Sequence, residues 1–358
     1  MRHSARLIAS TLAPAAMVLV LAVLAAAAQS HPPAVGPGFS RTSLKVVRDV
    51  DYVADADYAD GKDRLDIYLP DGARNAPVIF SIHGGALEAG DRREERFVGQ
   101  RFAGAGYVTV VISYRLSPDV SHPAHIQDVA AAFAWVTRNI AQHGGDPGRI
   151  LVIGHSAGAY LAMLLAADPR WLAAHALSPR AIAGVAPVSG FYWVDREGVA
   201  PDRPAYVWGT DRRAWVEASP AKYLRPDMPP VLLLDTDGDE TWRQQQKADF
   251  AEALRAAGHQ DVTVYKVRGR THMSVWTRMN DGEGEETSSR ILSFAKRLFA
   301  APRGTAGGAL LFLRLERALV GKYLAGDDVD VEVHRAIALS GYLNVMTARR
   351  QPEGLRRW

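Results

Sequence analysis

"VIGHSAGAYLAMLLAAD" runs from Val152 to Asp168. An apolar run stops at Gly154, and a second one starts directly after Gly158. The first is short and almost continuous, as in a strand covered on both faces. The second has the length and the Ala/Leu content of a helix. Gly154-His155-Ser156-Ala157-Gly158 is therefore the joint of a strand–turn–helix. Glycines on either side of a serine let strand and helix approach closely around a sharp turn, which leaves the Ser156 hydroxyl at its tip. The N–H of Ala157 then faces the place where an oxyanion would form, at the positive end of a helix. A serine cap between turn glycines explains the same letters without chemistry. The pentapeptide thus needs partners before it means anything functional.

Working outward, strand and helix patterns alternate along the chain. "LKVVRDVDYV", "RLDIYLP", "PVIFSIHGG" and "YVTVVISYRL" read as strands upstream of "RILVIG"; "AIAGVAPVSG", "PPVLLLDT" and "VTVYKV" read as strands downstream. Helical patterns fill "HPAHIQDVAAAFAWVTRNIAQHGG", "GAYLAMLLAAD", "WRQQQKADFAEALRAAG" and "SSRILSFAKRLFA". This alternation predicts an α/β fold: a mostly parallel central sheet of about eight strands with helices on both faces. In such sheets chemistry collects at the carboxyl ends of the strands.

Three more features fall at strand ends. His83-Gly84-Gly85 follows "PVIFSI", 73 residues before Ser156. Such a loop offers backbone donors, here Gly84, Gly85 and Ala86, to join Ala157 in an oxyanion hole, with His83 bracing the turn. "VLLLDTDGDE" supplies an acid: Asp235 continues its strand, whereas Asp239 and Asp237 lie in the loop beyond, Asp239 being preferred. The run does not follow a calcium loop, whose sixth and twelfth positions would be Glu240 and Gln246 here. His272 follows the last strand, in "VTVYKVRGRTHMS". His259 sits at a helix end and reads as a surface cap, while His122, His125 and His143 lack zinc-ligand spacing, so no metal site is expected. The chain order Ser156, Asp239, His272 is that of a nucleophile, its orienting acid and its general base.

With these residues in place the chain resembles the α/β-hydrolase superfamily. Within it, the chain is similar to small bacterial carboxylesterases of the feruloyl-esterase-like and kynurenine-formamidase-like group. The resemblance rests on "LDIYLP", "HGGALEAGDRR", the stretch from His122 to Pro179, "ASPAKYL" and "GRTHMS", and spans roughly Val53 to Ala300. It implies Ser156 as nucleophile, His272 as base and Asp239 as acid, with no cofactor. Where the family carries His-Gly-Gly-Gly-Trp, this chain has Ala86 and Leu87. Alanine keeps the N–H but adds a β-carbon, and the missing tryptophan weakens the link to formamidases. The segment from Phe191 to Leu224 stands where a lid or acyl pocket usually lies. Phe191, Tyr192 and Trp208, with Leu87 and His155, are candidate substrate-binding residues; Trp193, Tyr206 and Trp215 share the segment, and core cover is the equal alternative for these aromatics.

Composition bounds the rest. The chain has 358 residues, 48% of them hydrophobic and 23% charged, with no cysteine. The net charge of +3 sits at the ends. Residues 1–28 hold Arg2, Arg6 and no acid; residues 301–358 hold nine Lys/Arg and six Asp/Glu; the remainder holds 31 basic and 33 acidic side chains. A basic footprint for nucleic acid is therefore missing from the central domain. Residues 1–28 follow the layout of a cleavable export signal: an Arg-containing start, an apolar run and terminal small residues. An uncleaved anchor is the alternative. The expected organisation is signal 1–28, linker 29–45, catalytic domain 46–302 and a helical extension 303–358. The expected location is the bacterial periplasm or exterior. Membrane contact is expected only through the N-terminal segment or the amphipathic extension. The expected function is ester hydrolysis on a small-molecule substrate. An amide hydrolase such as an aryl-formamidase, and a non-catalytic binding protein on the same fold, are the alternatives.

Overall fold

The computed structural model describes residues 44–300 except 54–57, 59 and 283–284. The expected signal, most of the linker and the C-terminal extension lie outside the described residues. Eight strands form one sheet in the order β1-β2-β4-β3-β5-β6-β7-β8. They are β1 Lys45–Asp51, β2 Arg64–Leu69, β3 Ala76–Ile82, β4 Val108–Ile112, β5 Gly145–His155, β6 Gly184–Val188, β7 Val231–Gly238 and β8 Val262–Thr271. From β4 through β3 to β8 every pairing is parallel, whereas β2 runs antiparallel to both β1 and β4. The sheet is thus mostly parallel, as the alternation of elements predicts.

Five longer helices flank it: α1 Arg96–Ala103, α2 Ala124–Asn139, α3 Ala157–Ala167, α4 Thr241–Ala256 and α5 Glu286–Ala300. The strands sort their side chains by the two-residue period. Val78, Phe80 and Ile82 of β3 pack into the core shared with α2, α3 and α4, while Ile79 joins the opposite core with α1 and α5. Helix α3 is apolar all round and wholly buried, which suits a helix enclosed by the sheet, its neighbours and the covering segment. Among the described residues no helix is long and apolar enough to cross a membrane.

Helix α1 has no counterpart among the elements expected from sequence. Gly99 interrupts its pattern, and a glycine inside a helix reads as a breaker. The structure gives the reason for it: a β-carbon at Gly99 would lie 2.3 Å from the Tyr68 ring on β2. Close packing against the sheet, invisible along the chain, sets that residue. His259 also differs from expectation. It is buried rather than a surface cap, its N–H donating to the Leu254 carbonyl at the end of α4 and its Nδ1 lying 3.3 Å from the Pro226 carbonyl.

Candidate active site

Ser156 sits between β5 and α3 with φ 53° and ψ −113°, a conformation rare for a residue with a side chain. The turn is held by its surroundings. The Ser156 N–H donates to the Val188 carbonyl of β6 at 2.9 Å, and the Tyr160 N–H donates back to the Ser156 carbonyl at 3.1 Å. A β-carbon at Gly158 would lie 2.1 Å from the Ile82 carbonyl oxygen, so only glycine lets α3 start this close to β3.

The loops after β7 and β8 bring the other two residues to this turn. His272 Nε2 lies 3.0 Å from Ser156 Oγ, and its Nδ1 lies 2.6 Å from Asp239 Oδ1. A carboxylate can only accept, so Nδ1 carries the proton and Nε2 offers its lone pair to the serine hydroxyl. The other oxygen, Asp239 Oδ2, accepts from the Ser189 hydroxyl at 2.6 Å and from the Thr236 N–H at 3.0 Å. Burial alone would push the Asp239 carboxyl up. Hydrogen bonds from His272, Ser189 and Thr236 outweigh it and hold the group below its usual range.

The geometry separates the two candidate acids. Asp237 is exposed, and both its oxygens accept from the Gly269 N–H, at 2.9 and 3.1 Å. It ties β7 to Gly269 of β8, and its hydrogen bonds go to Gly269 and Thr236 rather than to the imidazole. Asp235 is buried in an ion pair with Lys247. Ser189, which holds Asp239 and is itself held through its carbonyl by Arg243 Nη1 at 2.8 Å, escaped the sequence reading. Its position at the end of β6 was the one signal available.

The loop after β3 lies against the serine: a β-carbon at Gly84 would be 3.4 Å from Ser156 Cβ. His83 donates through Nδ1 to the Gly84 carbonyl at 2.7 Å and stacks on Tyr114 at 4.2 Å, so it braces the loop as expected. Burial lowers its pKa to about 4. Ala86 and Leu87 both have left-handed backbone, with φ of 60° and 70°. Among the described residues no protein acceptor takes the N–H of Gly85, Ala86 or Ala157, which leaves these amides free to serve an oxyanion.

The candidate substrate-binding residues need correction. Leu87 is wholly buried in the core, where its carbonyl accepts from the Ser117 N–H. His155 is 3% exposed and lies behind His272, not in front of Ser156. Tyr192 is wholly buried and stacks on Phe250 at 4.0 Å. Phe191 stacks on Tyr160 at 4.6 Å, and Trp208 meets that pair edge-on, both buried. Phe191, Tyr192 and Trp208 are core cover, because a large ring gains most by leaving water. Thr271 and Met273, the latter 58% exposed, stand open beside the histidine, and the exposed Tyr206 donates its hydroxyl to Glu88 near the glycine loop.

Comparison with known proteins gives the same picture. The BD-FAE family model matches residues 65–173, which include the glycine loop and Ser156. Esterase LipQ of Mycobacterium tuberculosis is 34% identical over 227 residues, covering 58% of this chain and 53% of that protein. The probable carboxylic ester hydrolase LipM of the same organism is 28% identical over 281 residues, covering 72% and 64%. The chain thus spans between half and two thirds of the length of these relatives. Among solved structures, esterase B from Lactobacillus rhamnosis has a TM-score of 0.61 at 22% identity, covering 79% of this chain and 96% of that one. Thermogutta terrifontis esterase 2 has a TM-score of 0.57 at 25% identity, covering 75% and 98%. The chain has the α/β-hydrolase fold. Its likeness is to esterases and carboxylic ester hydrolases.

Two acidic features of this α/β-hydrolase bear on its chemistry. Asp239, Glu240 and His272 bring potential ligand atoms within 4.8 Å of one another. A cation there would have to take a His272 nitrogen already bonded to Asp239 or to Ser156, so the arrangement serves the imidazole better than a metal. Deeper in, Glu95 is buried with Oε1 accepting from the Trp276 indole N–H at 2.7 Å and Oε2 reached by the Ser81 hydroxyl at 3.5 Å. Burial pushes its pKa from 4.5 to about 8, against the opposing pull of those two hydrogen bonds. The folded protein therefore keeps this proton over a range in which the unfolded chain has lost it. The contribution to stability is complete below about pH 4.5, falls as pH rises, and is gone above about pH 8. Glu95→Gln keeps an acceptor for Trp276 and a donor for Ser81 while removing the titration. Its stability relative to wild type is expected to rise with pH by a few kcal/mol in total, on the order of 1.4 kcal/mol per unit. Urea unfolding at pH 5, 7 and 9 measures this; a constant difference would show that Glu95 is ionised in the fold.

Proposed function

We propose that this α/β-hydrolase is a serine carboxylesterase that cleaves small-molecule esters through an acyl-enzyme on Ser156. The observation that carries the reading is the hydrogen-bonded series Ser156–His272–Asp239 beside the His83-Gly84-Gly85 loop. Esterase relatives support the ester class. As Ser156 Oγ attacks the ester carbonyl, His272 Nε2 takes its proton, and Asp239 stabilises the imidazolium that results. The carbonyl oxygen becomes an oxyanion, met by the amides of Ala157, Gly85 and Ala86 on the Gly84 loop; one such donor contributes about 3 kcal/mol to the transition state. His272 then gives the proton to the departing alcohol. Water, activated by the same imidazole, releases the acid and restores the serine. Every step uses side chains and amides of this chain.

Export belongs to the same proposal, supported by the apolar, small-residue-ended stretch that follows Arg2 and Arg6. The test uses recovered protein whose N-terminus is first sequenced. It is assayed on p-nitrophenyl acetate and butyrate and on N-formylkynurenine, then treated with a serine-directed organophosphate. Ester turnover with a single label at Ser156 is expected. Preference for N-formylkynurenine would move the protein to the amide hydrolases, and no turnover with no label would make it a binding protein on this fold.

A further inference from the structure

Behind the imidazole lies a second set of contacts that the acyl-transfer scheme does not use. His155 closes β5 one residue before Ser156, and its Nε2 lies 2.8 Å from the carbonyl oxygen of His272, 117 positions further along the chain. A carbonyl only accepts, so Nε2 carries the proton. The His155 ring lies parallel to Trp276, with centroids 5.5 Å apart and planes 15° from each other, and 4.8 Å from the His272 ring. On its other side a β-carbon at Gly84 would come within 3.1 Å of His155 Nδ1. Trp276 is pinned in turn by its N–H bond to Glu95 at 2.7 Å. One buried side chain thus touches the glycine loop, adjoins the serine turn and bonds the backbone of the histidine.

We propose that His155 is a positioning residue, which fixes the backbone of His272 and so aims its imidazole at Ser156. This rests on the serine-hydrolase reading and adds a residue to it. The need for such a prop follows from where His272 sits. It follows β8, the edge strand, with Thr271 exposed before it and Met273 exposed after it. The loop's own bonds are local: the Thr271 N–H donates to Ser274 Oγ at 2.8 Å, and the Ser274 N–H donates to Thr271 Oγ1 at 3.1 Å. Before His272, Thr271 pairs with Gly238 of β7 and the Arg270 carbonyl accepts from Thr236 Oγ1 at 2.7 Å; after it, Val275 is buried. The bond to the backbone carbonyl of His272 itself comes from His155, which is backed by Trp276 on Glu95. Burial lowers the His155 pKa to about 3, which keeps its ring neutral and its single N–H on the His272 carbonyl. Steering by a bond of this kind acts on geometry at the reacting atoms, where a misplacement of about 1 Å can cost on the order of 100-fold.

The test compares His155→Leu, which removes the donor, with His155→Gln, which places an amide N–H where Nε2 stands. His155→Leu is expected to lower kcat on p-nitrophenyl butyrate roughly 10- to 100-fold with KM within about twofold. His155→Gln is expected to regain most of the loss. The downfield NMR signal of the proton between His272 and Asp239 should move in the leucine variant and return in the glutamine one. A kcat within twofold of wild type in folded His155→Leu, or a glutamine variant no better than the leucine one, would overturn the proposal. If His155→Leu does not fold, Trp276→Phe keeps a ring against His155 while losing the bond to Glu95 and part of the indole's packing; a several-fold fall in kcat is then expected, and an unchanged kcat overturns the proposal. The NMR signal needs no turnover. If wild type cleaves no ester, the hydrolase reading falls while the placement of His272 is still tested.

Discussion

Ser156→Ala is expected to lower turnover of p-nitrophenyl acetate by about 10⁵- to 10⁶-fold, to a rate only the backbone donors and binding sustain. The size follows from how the parts depend on one another. Without Oγ there is no acyl-enzyme, and His272 and Asp239 lose the group they serve, so one deletion removes the contribution of all three. The fold has little at stake, because the conformation of residue 156 is set by the Val188 carbonyl and by Gly158, neither of which touches the hydroxyl's chemistry. An unchanged melting temperature with the burst of p-nitrophenol lost is the expected pair of results. A kcat within tenfold of wild type would remove Ser156 from the mechanism.

Asp239→Asn is expected to cost about 10⁴-fold in kcat, while Asp237→Asn leaves it near wild type. The arrangement around the carboxylate dictates the first result. Oδ2 receives the Thr236 N–H, a backbone donor that cannot turn away, so an asparagine must place its amide oxygen there. Its NH₂ then faces His272 Nδ1, which has to give up its proton to accept, and Nε2 carries the hydrogen instead. The imidazole would present a donor to Ser156 where a lone pair is needed. Asp237 has no such role, since its oxygens accept from the Gly269 N–H of β8 and from the Thr236 hydroxyl. Steady-state kinetics on both variants decide the matter; equal losses in the two would return the assignment to the open choice between them.

The α/β class and the placement of the serine and the histidine at strand ends were legible in the sequence by itself, because each is marked by a local event: a strand-like apolar run stops, and a chemically unusual residue follows. Ser156 after β5, His83 to Gly85 after β3 and His272 after β8 are all of this kind. Only the tertiary structure decided what depended on contacts distant along the chain. Asp239 and Asp237 lie two residues apart in one acidic loop, and their roles separate through a register shift between Thr236 and Gly238 where β7 meets β8. Ser189, His155, Trp276 and Glu95 meet partners 50, 117 or 181 positions away, so no spacing rule reaches them. Helix α1 hid behind Gly99, a residue chosen by the Tyr68 ring across the sheet. Phe191, Tyr192 and Trp208 carry the same letters whether they line an opening or fill a core, and they pack against Tyr160 and Phe250. Periodicity reports which face of an element is apolar; only the packed chain determines what that face meets.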